Sequence, residues 1–155
     1  MRSLVSTHVK SFLSKHDLRE IAQAIADAEK RTSGEIRVSV RQKRSKKEIG
    51  LTVEQLARHE FAHLGMMKTK ERTGILIFIL LDGREFHILA DEHINQKMEP
   101  GSWQKVADSM AVSFSKKEFR EGLITAVRTV GDHLATHFPA KPGDKNELSN
   151  EVKIS

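Results

Sequence analysis

The stretch Gly74-Ile-Leu-Ile-Phe-Ile-Leu-Leu-Asp-Gly-Arg-Glu-Phe-His-Ile-Leu-Ala90 decides the fold of this chain. Its first part, Ile75 to Leu81, is an unbroken apolar run, well short of the roughly 20 residues a bilayer-spanning helix needs. Bounded by Gly and Asp-Gly, it reads as a strand covered on both faces, at the centre of a sheet. Asp82-Gly83 is a hairpin dipeptide, and Arg84 to Ala90 follow as the antiparallel partner. A strand hidden on both faces needs helices above and below, which makes the chain α/β.

Outward from this hairpin, Glu35-Ile-Arg-Val-Ser-Val-Arg41 alternates strictly. Ile36, Val38 and Val40 share one face, while Glu35, Arg37, Ser39 and Arg41 share the other, the pattern of a half-exposed strand near a sheet edge. Between the two strands, Thr52 opens a helix that runs to Leu64-Gly65, its hydroxyl placed to cap the amide near Gln55. The strands it joins are therefore parallel with a right-handed crossover. Upstream, Ser14 caps a helix over about 15–31 with the stripe Leu18, Ile21, Ala22, Ile25 and Ala28. Downstream, Asp91 caps a short helix near 92–98, Ser102 caps one near 103–115, and a last helix spans about 117–137. The expected architecture is a three-layer α/β/α sandwich, a small mixed sheet with helices on both faces.

Of 155 residues, 26 are Lys or Arg, 21 are Asp or Glu and none is Cys, and 38% are hydrophobic. Residues 1–139 read as one domain and the polar, Pro- and Gly-containing run 140–155 as a disordered tail. Without cysteine there is no disulfide framework, iron–sulfur cluster or thiol nucleophile, so any metal must sit on His, Asp or Glu. The opening residues lack the apolar region and cleavage site of a secretory signal, and a cytoplasmic protein with no membrane span is expected.

Three constellations could carry chemistry. His59-Glu60-Phe61-Ala62-His63 matches the H-E-x-x-H string of zinc metalloproteases, on a helix as that chemistry requires. Its helical phase, however, puts Glu60 near the core face and both histidines on the flank, and no third ligand follows. Surface histidines around a partly buried Glu60, itself in need of an Arg or backbone partner, are the simpler reading. The basic run from Arg41 to Lys47 has no interleaved aromatic to stack a base, so it reads as a solvated loop and nucleic acid is disfavoured. The third constellation comes from topology. The end of the third strand lies beside the starts of the first two, which gathers Asp91, Glu92, Glu35 and Arg72 at one corner, a donor set for a hard cation or a phosphoryl group.

In order along the chain, Thr32-Ser-Gly-Glu-Ile-Arg-Val38, Phe61-Ala-His-Leu-Gly-Met66, Thr69-Lys-Glu-Arg-Thr-Gly-Ile-Leu-Ile77, Phe86-His-Ile-Leu-Ala-Asp-Glu-His-Ile94 and Phe119-Arg-Glu-Gly-Leu123 resemble the TPM domain family, sometimes labelled TPM phosphatase. The resemblance implies an α/β sandwich, and it implies acid phosphatase activity and calcium binding, each assigned to a member. Many members are envelope-associated through a signal peptide and a membrane helix, which this sequence does not show. By the resemblance, Asp91 matches the acid after the third strand, and Arg72 and Glu35 match the strand starts; Glu92 is added by topology. The usual Gly-rich turn is here Leu89-Ala-Asp-Glu-His93. The expectation is a divalent-cation site, Ca²⁺ or Mg²⁺ on Asp91, Glu92 and Glu35, with Asp91 and Arg72 catalytic if phosphomonoesters are cleaved. Its partners would be the cation and a phosphate-containing ligand or a protein. The alternatives are a zinc protease on His59, Glu60 and His63, with Zn²⁺ as its metal, or a non-catalytic interaction domain.

Overall fold

The computed structural model describes residues 12–69, 72–143 and 148–155. Along the chain come α1 (Lys15–Glu29), β1 (Glu35–Arg41), α2 (Val53–His63), β2 (Gly74–Leu80), β3 (Glu85–Ala90), α3 (Glu92–Lys97), α4 (Ser102–Ser115), α5 (Phe119–His137) and a short β4 (Lys153–Ile154). Single 3₁₀ turns occupy Lys46–Glu48 and Met66–Lys68.

The caps explain where the helices start. Ser14 and Asp17 form a reciprocal capping box at α1, and Thr52 and Gln55 form another at α2. The expected cap at Ser102 is displaced by one residue: Gly101, at φ 85°, occupies the cap position, and the Ser102 hydroxyl donates to the Glu99 carbonyl.

The sheet order is β3-β2-β1-β4. β1 and β2 are parallel, in register from Glu35 opposite Gly74 to Arg41 opposite Leu80, and β2 and β3 are antiparallel, from Ile75 opposite Ala90 to Leu80 opposite Glu85. Alternation splits the sheet into two apolar faces. Ile36, Val38, Val40, Ile75, Ile77 and Ile79 face α1, α4 and α5, while Leu76, Phe78 and Leu80 pack under Leu56, Ala57 and Phe61 of α2. This is the three-layer α/β/α sandwich. Within the helix layer that holds α1 and α5 the packing is close: a Cβ built on Gly131 of α5 would lie 2.7 Å from that of Ala28 on α1.

Two expectations fail for one reason. β1 is not a half-exposed edge strand, because β4 runs parallel beside it, with Ser39 opposite Lys153 and Val40 opposite Ile154. Ser39 is fully buried as a result. Nor is 140–155 a disordered tail throughout. Ala140 N donates to the Arg31 carbonyl, Ser155 N to that of Val40, and Gln42 N to that of Ser155. Residues 144–147 lie outside the described residues. Val152 and Ile154 pack on the larger core, and that burial is what orders the segment.

Candidate functional site

Arg72 and Asp91 meet at the strand ends that the topology brings together. Asp91 N donates to the Gly74 carbonyl at 2.8 Å, so β3 ends where β2 begins. Asp91 is buried, and its Oδ1 accepts from Glu92 N at 2.7 Å, capping α3. Arg72 approaches the same carboxylate edge-on: its Nε lies 3.3 Å from Oδ1 and 3.2 Å from Oδ2, and its Nη2 3.3 Å from Oδ1. That contact, with Glu92 nearby, holds the guanidinium's pKa above its ordinary value. The Arg72 side chain keeps 41% of its surface in solvent while that of Asp91 keeps 4%, so the pair is an open cation set on a closed anion. Arg72 has φ 57°, a left-handed backbone unusual for a residue with a Cβ, and its N–H donates to the Thr69 carbonyl. The Thr69 hydroxyl is buried and has no hydrogen-bond partner among the described residues.

Glu35 is placed differently from the expectation. Register puts Glu35, Gly74 and Asp91 in one row across three strands, so two strand spacings, about 10 Å, separate the Glu35 and Asp91 backbones. The Met66 side chain packs over Gly74 between them. Glu35 turns instead to Glu29 at the end of α1, whose Oε2 accepts from Ile36 N at 2.7 Å. Burial, with the Glu35 carboxylate beside it, pushes the Glu29 carboxyl up to about 8, so a proton is held between two acids. Glu92 is exposed and next to Asp91. Of the expected metal ligands, Asp91 and Glu92 therefore share a corner and Glu35 does not join them. Among the described residues no three His, Asp or Glu side chains form a group fit to hold a metal ion.

The H-E-x-x-H string does lie on α2, with His59 and His63 exposed and Glu60 buried. The glutamate's partners are not the Arg or backbone amide expected: Oε2 accepts from the Ser39 hydroxyl at 2.5 Å and Oε1 from Lys153 Nζ at 3.2 Å. Glu60 thus faces the sheet and the histidines face solvent, which separates the general base of a zinc protease from its metal ligands.

Sequence reasoning missed Glu29 and Lys153. Glu29 stands four residues after Ile25, on the apolar stripe of α1, and an acid on such a stripe is a signal. For Lys153 the only sign was the short alternation Val152-Lys-Ile154.

A parallel strand pair closed by an antiparallel hairpin, with helices on both faces and an Arg–Asp corner at the strand starts, defines a small α/β sandwich domain. The chain belongs to the TPM domain family, matching it over residues 7–133. Among solved structures it is similar to the BA42 protein of the psychrophilic bacterium Bizionia argentinensis sp. nov., determined by NMR, with 32% identity and a TM-score of 0.83 over 93% of this chain and 96% of that one. No curated protein matches the chain. Among the described residues no helix is long and apolar enough to cross a membrane.

Proposed function

We propose that the Arg72–Asp91 corner is the working end of the domain, a divalent-cation site that takes a phosphate monoester as its second ligand. The observation that carries this reading is the asymmetry of the pair, a buried acid held by a half-exposed arginine with the exposed Glu92 adjoining. Asp91 and Glu92 supply hard oxygen donors suited to Ca²⁺ or Mg²⁺, with water completing the shell. The cation would polarise a phosphoryl oxygen. Arg72 competes for Asp91 in the free protein, and when released it presents a charged, bidentate donor to a phosphate. Glu35, tied to Glu29, shapes the neighbouring strand start and is not a ligand in this reading. A cytoplasmic location belongs to the same proposal.

Backbone amide shifts followed during titration with CaCl₂ and with MgCl₂ test the site. Saturable shifts at Thr69, Arg72 to Gly74 and Asp91 to His93, lost in Asp91→Asn, support it. Shifts confined elsewhere, or none, sink it. Turnover of p-nitrophenyl phosphate that requires the cation and disappears in Arg72→Ala would establish the phosphatase step, and cation binding without turnover would leave a binding module.

A further inference from the structure

The opposite end of the sheet holds a cavity. Where β1 and β2 finish, a cavity of about 500 Å³ opens between the β2–β3 turn, the α4–α5 turn and the residues leading into α1. That volume lies within the range of small-molecule pockets.

Four of the chain's seven phenylalanines line it and touch in series. Phe12 meets Phe119 at 4.7 Å between ring centroids, Phe119 meets Phe114 at 5.5 Å, and Phe114 meets Phe86 at 5.7 Å. All four are only partly buried, so a continuous aromatic wall keeps open surface. Close packing fixes it: a Cβ on Gly122 would come within 3.0 Å of the Phe114 ring.

The rim is cationic. Arg84 and Lys117 line the cavity, both are exposed, and among the described residues neither makes an ion pair. Each is held in place by its turn. Arg84 follows Gly83 in the hairpin with φ 52°, and Lys117 follows Lys116, the C-cap of α4, with φ 64°, where Glu118 N donates to the Ser113 carbonyl at 2.9 Å. Among the described residues that line the cavity the one acid is Glu85, and it is already neutralised by a two-pronged contact from Arg44 at 3.1 and 3.2 Å. An apolar wall beneath two uncompensated cations is complementary to a ligand with an apolar body and one anionic head.

We propose that this cavity binds a single-chain anionic amphiphile of the fatty-carboxylate type, its chain against Phe86, Phe114 and Phe119 and its carboxylate at the Arg84–Lys117 rim. The test titrates the full ¹⁵N-labelled chain with sodium decanoate below its micelle concentration. Saturable amide shifts within 79–86 and 111–123 are expected, with no such response to acetate. The double variant Arg84→Asn, Lys117→Asn, whose asparagines tolerate left-handed backbone, should weaken binding about tenfold or more, and decanol should bind the unaltered protein more weakly by a similar factor. Decanol binding as well as decanoate, or a double variant with unchanged affinity, would overturn the recognition of an anion. Absence of shifts at the cavity, including the case where only phosphatidylglycerol vesicles are bound, would overturn the site itself.

Discussion

Lys153 Nζ reaches Glu60 Oε1 across 93 positions of sequence, at 3.2 Å, and joins the last strand to the helix above it. Glu60 is 7% exposed, and apart from this lysine its partner is the Ser39 hydroxyl. Lys153→Met should therefore leave a buried carboxylate half-satisfied and lower stability by about 1–3 kcal/mol. Adding Glu60→Gln to that variant should restore part of the loss. Urea unfolding of the single and double variants measures both, and equal midpoints for Lys153→Met and the unaltered protein would show the contact to be inert.

The Glu29–Glu35 pair predicts a pH dependence of definite sign. An isolated glutamate ionises near 4.5, whereas burial and the Glu35 charge raise Glu29 to about 8 in the folded chain. Below pH 4.5 both states hold the proton. Between 4.5 and 8 only the folded state keeps it, so this contribution to stability falls as pH rises through the window and levels off above it. Glu29→Gln, whose amide mimics the protonated acid, should match the parent at pH 4 and exceed it at pH 9, by on the order of 2 kcal/mol. Glu48 has the opposite sign: Ser45 and Arg41 depress it to about 2, and its contribution is lost as pH falls from 4.5 towards that value. Thermal melts from pH 2 to pH 9 resolve the two trends.

Gly131→Ala should destabilise the protein by about 1–3 kcal/mol, because the new methyl meets Ala28 Cβ at 2.7 Å between two rigid helices. In an open helix the same change is stabilising by about 1 kcal/mol. Gly74→Ala is the informative contrast. Its methyl meets the mobile end of Met66 at 3.3 Å, so a smaller loss is expected. Denaturant midpoints that rank the two in reverse would refute this account of the packing.

Replacing His59 and His63 together by alanine should change stability by no more than about 0.5 kcal/mol, since both are exposed on α2. Zinc retained after dialysis should be the same with and without them. A stoichiometric zinc lost in the double variant would revive the protease reading.

Most of the fold was legible because periodicity and turn chemistry agree locally. Ile75 to Leu81 is apolar without a break, and its residues up to Leu80 become a strand buried along its length, which the turn through Asp82-Gly83 sends back on itself. The Arg72–Asp91 contact was readable too, because strand direction alone brings those two ends together. The misread parts depend on distant burial. Ser39 looks like the wet side of an edge strand until Lys153 and Glu60 cover it, and Glu35 until Glu29 lies beside it; nothing near Ser39 in sequence announces a partner more than a hundred residues on. Nor does spacing along the chain bring Phe12, Phe86, Phe114 and Phe119 to one wall; only the packed layers do.

The strand that organises the domain is also its hazard during folding. Ile75 to Leu81 has the composition of a self-associating cross-β segment, uncharged, built of Ile, Leu and Phe and free of glycine and proline. In the finished sheet both its edges are occupied, by β1 and β3, and both its faces lie under helices. Until the hairpin closes and β1 docks, that template stays available to other chains, and refolding yield should fall as protein concentration rises. The neighbours of β2 act as its chaperones as much as its partners.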